Sequence, residues 1–156
     1  MCNVYETTVQ FGAEAENESF ARVVVAGFMA RVNPTLEELT DVRMAVSEAV
    51  TNSIIHGYSM KEGTIRLICR LEGNELEVIV EDEGIGIDDV KQAMEPLYTS
   101  KPELDRSGMG FAFMKAFMDK VSVESTPGKG TIVRMRKKLA KDMLCGEEMG
   151  KAVGFR

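Results

Sequence analysis

Residues 4–11 carry Val, Tyr and Thr in loose alternation, the period-two pattern of a strand with one buried face. Beyond them Phe20, Val23, Val24, Gly27 and Phe28 recur at helical spacing, and either Asn17 or Ser19 can cap the helix they predict. Asn33-Pro34-Thr35 ends that segment, and Thr35 with Glu38 three residues on forms a capping box for a longer helix. This second helix is expected over residues 36–56, with Val42, Ala45, Val46, Ala49, Val50, Ser53 and Ile54 on its buried face. Gly57 then suits the left-handed position after a helix end. Period two returns over residues 64–71 and 75–81, with Glu72-Gly73-Asn74 between them as a hairpin turn.

After Gly84-Ile85-Gly86 the pattern loosens until Gly108, through Pro96, Pro102 and several charges. A connection of that length predicts a lid or functional loop. Residues 110–118 read as a helix with Phe111, Met114 and Phe117 on one side, and residues 121–125 and 130–136 as closing strands around Pro127-Gly128. The order strand, helix, helix, strand, strand, loop, helix, strand, strand predicts an α+β fold: an antiparallel or mixed sheet with helices on one face. It is not the alternating order of a Rossmann domain. One domain over residues 1–139 accounts for the pattern; residues 140–156 show no clear period and are expected to be a partly disordered tail.

Composition narrows the classes. A chain of 156 residues with 44% hydrophobic and 28% charged residues suits a single soluble domain. No apolar run approaches the roughly 20 residues of a membrane span, and residues 1–6 lack the basic and apolar regions of a signal peptide, so a cytoplasmic location is expected. A net charge of -6 repels a phosphate backbone and points to a protein partner instead of direct nucleic-acid binding. Cys2, Cys69 and Cys145 are odd in number and far apart, forming neither a zinc pattern nor a disulfide framework. The single histidine, His56, argues against a histidine-rich metal site.

Four short motifs carry candidate chemistry. Glu48 and Asn52 lie four apart on the second helix and project from one flank, at the border of its apolar face. There a carboxylate can accept a proton and an amide oxygen can ligate Mg²⁺; a solvated Glu–Asn pair is the plainer reading. Asp82-Glu83-Gly84-Ile85-Gly86-Ile87 follows a strand directly, so Asp82 can accept from an exocyclic amino group such as adenine's, with Gly84 and Gly86 allowing close backbone approach. A simple turn after an edge strand fits those residues too. Ser107-Gly108-Met109-Gly110-Phe111 opens a helix, where free N–H groups favour phosphate oxygens, and Lys101 and Arg106 just before it can pair with a terminal phosphate. No G-K-[ST] follows, so this is not a Walker loop. Gly128-Lys129-Gly130-Thr131 precedes the last strand and can set the Thr131 hydroxyl beside a base edge, although a hairpin turn explains it nearly as well.

Taken in order, E-x-x-x-N on a helix, D-x-G-x-G after a strand, a loose stretch, G-x-G opening a helix and G-x-G-T resemble the GHKL ATP-binding superfamily of gyrases and histidine kinases. The resemblance implies a two-layer α/β sandwich of GHKL (Bergerat) type, with a mixed, mostly antiparallel sheet and helices on one face. It narrows over residues 17–139. Asn17-Glu18-Ser19-Phe20-Ala21-Arg22, Ser47-Glu48-Ala49-Val50-Thr51-Asn52, Ile55-His56-Gly57-Tyr58, Lys101-Pro102-Glu103-Leu104 and Arg106-Ser107-Gly108-Met109-Gly110-Phe111 are similar to the sporulation anti-sigma F family. They match the general stress-response anti-sigma kinases less well.

What this second resemblance implies is a homodimer that binds a sporulation sigma factor and uses Mg-ATP to phosphorylate a serine of an anti-anti-sigma factor. By motif position Glu48 is then the general base and Asn52 the Mg²⁺ ligand through the ATP phosphates. Asp82 reads adenine in a pocket shaped by Gly84 and Gly86, with Thr131 at its edge. Lys101, Arg106, Ser107, Gly108 and Gly110 hold phosphates, and Glu18 and Arg22 face a partner, though a solvated helix face reads equally well there. Three alternatives stay open: a stress-response anti-sigma kinase, a nucleotide-tuned sequestration module without significant kinase activity, and a detached histidine-kinase catalytic domain or unrelated ATPase.

Overall fold

The computed structural model describes residues 3–95 and 109–141. Five strands, β1 (Val4–Gly12), β2 (Thr64–Glu72), β3 (Glu75–Asp82), β4 (Lys120–Thr126) and β5 (Gly130–Lys138), form one sheet in the order β1-β2-β3-β5-β4. Helices α1 (Glu16–Met29), α2 (Leu36–Asn52) and α4 (Gly110–Phe117) cover one face, and a short α3 (Val90–Ala93) sits beside β4. All four strand pairings are antiparallel, so of the mixed sheet only the antiparallel part is realised. Each hairpin link is short, and the β2–β3 turn bends at Gly73 with φ 59°, a left-handed value that glycine adopts at no steric cost.

Alternation decides which residues enter the core. Ile65, Leu67, Cys69 and Leu71 of β2, Leu76, Val78 and Val80 of β3, and Val133 and Met135 of β5 share the helix-facing side and are all buried. Burial of side chains this size stabilises by roughly 1.5–3 kcal/mol each. Cys69 lies among them, and burial pushes its thiol up to about 12, with the nearby Arg31 charge opposing. Among the described residues no element covers the opposite face, yet Ile68 and Ile79, partners across β2 and β3, are buried there as well. Charged side chains cover them: Arg70 pairs with Glu6 at 3.0 Å, Arg136 with Glu77 at 2.7 Å and Arg66 with Glu81 at 3.3 Å. The long arginine stems shield the two isoleucines while their heads stay in water.

Helix α2 is the spine of the helical layer, packed between α1 and α4. Its expected cap is present in full: Glu38 N–H donates to Thr35 Oγ1 (3.1 Å) and Thr35 N–H to a Glu38 carboxylate oxygen (2.8 Å). Its predicted buried face holds at every position from Val42 to Ile54. The end differs. The α-helix stops at Asn52 and a single π turn, Ser53–Gly57, follows, closed by Tyr58 N–H on Ser53 O at 3.0 Å. Gly57 is not the left-handed residue; Ser59 and Met60 are, at φ 53° and 62°. Gly57 is needed for clearance instead, since a Cβ there would lie 3.1 Å from the Asp82 carboxylate.

Helix α1 departs from expectation at its start and on its face. It begins at Glu16 after Ala15 without a side-chain cap, and Asn17 instead donates from Nδ2 to Gly12 O at 2.9 Å, tying the helix to the end of β1. The buried residues are Ala21, Val25, Phe28 and Met29, while Phe20 and Val23 are 45% and 66% exposed. Contact with α2 turns this helix about its axis, so the smaller Ala21 faces inward and Phe20 meets Phe11 edge-on at 6.0 Å. The loose stretch after Gly86 contains α3, which Asp89 caps through Gln92 N–H at 3.0 Å. At the other end Leu139 is buried and Ala140 N–H donates to Glu38 at 2.6 Å, which anchors the exit of β5. Most of the expected tail, residues 142–156, lies outside the described residues.

Candidate functional site

A cleft of about 280 Å³ opens where the π turn, the ends of β3 and β5, and the start of α4 meet. It is lined on one side by Asn52, Ser53 and Gly57, on another by Asp82 and Thr131, and is closed by Gly86, Ile87 and Gly110. Five of the residues picked out by motif, Asn52, Asp82, Gly86, Gly110 and Thr131, therefore share one cavity although they span 80 positions of sequence.

Asp82 ends β3 directly opposite Thr131 of β5. The next row on its side of the sheet, Val80 and Val133, is apolar, and the residue is only 8% exposed. Ser53 Oγ donates to Asp82 Oδ2 at 2.8 Å, and Gly84 N–H donates to Oδ1 at 3.0 Å. Burial raises the carboxyl above its ordinary value, opposed in part by the bonds from Ser53, Gly84 and Thr131. A carboxylate has about four acceptor positions, more than these three bonds use, so Asp82 retains acceptor capacity in the cleft. Ser53 supports the site in a way the apolar pattern hides, because that pattern assigns it only to the buried face of α2. The available signal is a lone hydroxyl among Ala, Val and Ile, which needs a buried partner.

The glycines act by close approach. A Cβ on Gly84 would sit 2.3 Å from Gly57 O, and Ile85 N–H bonds that same carbonyl at 3.0 Å, so strand end and π turn lock together. Gly86, at φ 75°, would place a Cβ 2.4 Å from Thr126 O. Next to it Gly128 N–H donates to Ile85 O at 2.7 Å, docking the loop on the β4–β5 hairpin. Tyr58 braces the same corner: its hydroxyl accepts from Glu83 N–H at 2.7 Å and donates to Thr64 O at 2.5 Å.

Glu48 and Asn52 meet the start of α4. A Cβ on Gly110 would lie 3.1 Å from both Asn52 amide atoms and 3.3 Å from Glu48 Oε2. The E-x-x-x-N flank and the second glycine of G-x-G are thus in contact, and the clearance left by Gly110 is bordered by a carboxylate and an amide. Glu18 and Arg22 stand apart from the cleft on α1. They pair at 2.9 Å, and Glu18 also accepts from Ser47 Oγ, the residue before Glu48. They form an intramolecular link between α1 and α2, partly exposed, not a freely solvated face. Lys101, Arg106, Ser107 and Gly108 lie outside the described residues.

This arrangement can take a planar base with a donor group at Asp82 and an anionic end at the start of α4, where unpaired helical N–H groups favour negative charge. The amide oxygen of Asn52 is a hard donor suited to Mg²⁺, and Glu48 beside it is an acceptor for a proton. Among the described residues no helix is long and apolar enough to cross a membrane.

Known proteins resemble this chain over most of its length. The histidine kinase-like ATPase domain family matches residues 11–137. The anti-sigma F factor of Clostridium acetobutylicum is 58% identical over 132 residues, covering 85% of this chain and 92% of that protein. That of Clostridium kluyveri is 59% identical over 129 residues, with 83% and 91% covered. That of Oceanobacillus iheyensis is 53% identical over 137 residues, with 87% and 94% covered. Among solved structures, the histidine kinase domain of the blue-light activated histidine kinase EL346 from Erythrobacter litoralis is similar with a TM-score of 0.52 and 26% identity. That match spans 66% of this chain and 45% of the other.

Proposed function

The chain belongs to the anti-sigma F factor family, within the histidine kinase-like ATPase domains, and from that membership we propose that it is an anti-sigma factor and a serine kinase. In this reading it binds and inhibits a sporulation sigma factor and phosphorylates a serine of an anti-anti-sigma factor with Mg-ATP. The observation that carries the kinase half is the placing of Glu48 and Asn52 against Gly110: Asn52 and Gly110 line a cleft whose far side is Asp82 and Thr131, and Glu48, not itself among the lining residues, reaches it at Gly110. A pure sequestration module needs the base pocket but has no use for a carboxylate at the phosphate end.

The residues fit the nucleotide and its metal. Asp82 accepts from the adenine amino group, held in place by Ser53 and Gly84. Asn52 offers its amide oxygen to Mg²⁺, and Gly110 at the start of α4 leaves room for phosphate oxygens where a Cβ would intrude. Bound Mg-ATP supplies the phosphoryl group to be transferred. Glu48 would take the proton from the serine hydroxyl as its oxygen attacks the γ-phosphate and ADP leaves, with Asn52 holding the metal that would neutralise the developing charge. Lys101, Arg106, Ser107 and Gly108 belong to the phosphate-holding set of this proposal, with Lys101 and Arg106 reporting nucleotide state to the bound partner. Glu18 and Arg22 are the proposed partner-facing pair, and their link through Ser47 to the residue preceding Glu48 gives them a route to the site. The proposal includes a homodimer acting in the cytoplasm.

The test is Glu48→Gln. The variant is expected to bind ATP as the native protein does and to lose transfer of labelled γ-phosphate to the anti-anti-sigma partner by about 10²–10⁴-fold, the usual worth of a general base. Undiminished transfer would remove Glu48 from the base role. An acid-labile product would point to phosphohistidine chemistry in place of phosphoserine.

A further inference from the structure

Three strands end at the cleft with a polar residue each, and the three face the helices in one row: Asp82 on β3, Thr131 on β5 and Ser125 on β4. The next helix-facing row is Val80, Val133 and Val123, which is wholly apolar. A polar row at this edge is therefore an interruption of the core pattern at the position where a ligand enters. Asp82 and Thr131 line the cleft. Ser125 stands behind Thr131 and touches three groups: Ile87 N–H donates to its Oγ at 2.8 Å, Gly130 O lies 3.0 Å away and Thr131 Oγ1 lies 2.8 Å away.

A serine hydroxyl has one hydrogen and two acceptor positions. The Gly130 carbonyl carries no hydrogen, so the Ser125 proton must go to it. Ile87 N–H occupies one of the two remaining positions, and the other faces Thr131. The hydrogen in the Ser125–Thr131 contact therefore comes from Thr131. Any other assignment leaves two oxygens facing each other without a proton. With its own hydrogen committed to Ser125, Thr131 can offer only lone pairs to the cleft, next to the acceptor oxygens of Asp82. Two adjacent acceptors suit a group with two hydrogens, an exocyclic amine, and repel a carbonyl oxygen.

We propose that Ser125 is a specificity-determining residue: by holding the Thr131 proton it keeps the base end of the cleft an all-acceptor surface, selecting a 6-amino purine over a 6-oxo purine. The inference rests on the nucleotide reading above and names how that site discriminates. Ser125 does not touch the base. It acts through Thr131, and through Ile87 it also holds the loop that closes the cleft.

The experiment compares ADP with inosine diphosphate by calorimetry on the full chain, for the native protein, Ser125→Ala, Ser125→Cys and Ser125→Thr. Removing the acceptor at position 125 frees the Thr131 hydroxyl to rotate and donate to a 6-oxo group. The ADP preference is expected to narrow about fivefold in Ser125→Ala, the worth of one neutral hydrogen bond, mostly through tighter inosine diphosphate. Ser125→Cys, of near-native volume, should narrow it in the same direction if the alanine variant folds poorly, and Ser125→Thr should keep the native ratio. In a Thr131→Val background the Ser125→Ala change should no longer move the ratio. Equal weakening of both nucleotides, with the ratio unchanged, would overturn the proposal and leave Ser125 as a loop strut. Native protein that binds neither nucleotide would instead overturn the nucleotide reading and this inference with it.

Discussion

Gly110 separates the needs of the fold from those of the reaction, and alanine there tests the separation. The Cβ it adds would lie 3.1 Å from Asn52 Oδ1 and Nδ2 and 3.3 Å from Glu48 Oε2, where ordinary contact begins at 3.4 Å. Asn52 must give by a few tenths of an ångström, and it can, because its side chain reaches the contact from a half-exposed flank. Against that small strain stands the higher helix propensity of alanine, worth up to about 1 kcal/mol over glycine. The two nearly cancel. The melting temperature of Gly110→Ala is expected within about 4 °C of native, since a chain of this size moves roughly 2–4 °C per kcal/mol.

Phosphoryl transfer has no such compensation. It depends on position, and a shift of about 1 Å can cost about 10²-fold. Displacing Asn52 and Glu48, the proposed metal ligand and base, by a few tenths together should slow transfer by roughly tenfold to a hundredfold. Thermal melting and single-turnover transfer of labelled phosphate to the anti-anti-sigma partner measure the two quantities on one preparation. Transfer within twofold of native would refute the geometric reasoning. A large loss of stability would show that Gly110 is a packing position and not a functional clearance.

Asp82 should show the reverse trade. Its folded pKa is raised by burial, so the folded state holds the proton more tightly than the unfolded chain. The resulting cost to stability is absent below the ordinary carboxylate range, grows as pH rises from there through the folded value and is complete above it. Asp82→Asn, without nucleotide, is expected to melt higher than native at pH 7 and to lose that part of the pH slope, while ADP affinity falls by about tenfold or more; a variant less stable at pH 7 with the native slope would contradict this. Thr35→Ala removes one half of the α2 capping box and should cost about 1 kcal/mol, read as a fall of roughly 2–4 °C in melting temperature with nucleotide affinity unchanged. Cys69, buried and with its thiol pushed up to about 12, should resist thiol reagents at pH 7 in a Cys2→Ser, Cys145→Ser background until the protein unfolds. Labelling at the rate of a free thiol in the native state would refute its burial.

The sequence by itself determined most of the elements and picked out the candidate residues. Alternation marked β1, β2 and β3, because one face of the sheet is buried and the period of two is obligatory there, and the Pro127-Gly128 turn marked β4 and β5 on either side of it. The apolar face of α2 was legible from Val42 to Ile54 because the helix is packed from the sheet and from both neighbouring helices, which leaves little choice of orientation. Motif order was enough to pick out Asn52, Asp82, Gly86, Gly110 and Thr131 before any of them was seen to share a cavity.

Only the tertiary structure decided what depends on contacts between distant segments. The rotation of α1 that exposes Phe20 and Val23 follows from its neighbours, since its sequence is apolar on more than one side. The π turn at Ser53 is a local choice stabilised by distant groups, namely Asp82 receiving the Ser53 hydroxyl and Gly57 leaving room for that carboxylate. Ser125 carries no motif at all. Its part emerges only when β3, β5 and β4 are in register, because a hydroxyl acquires a direction from the groups around it and those groups come from two other stretches of chain, the loop at Ile87 and the start of β5.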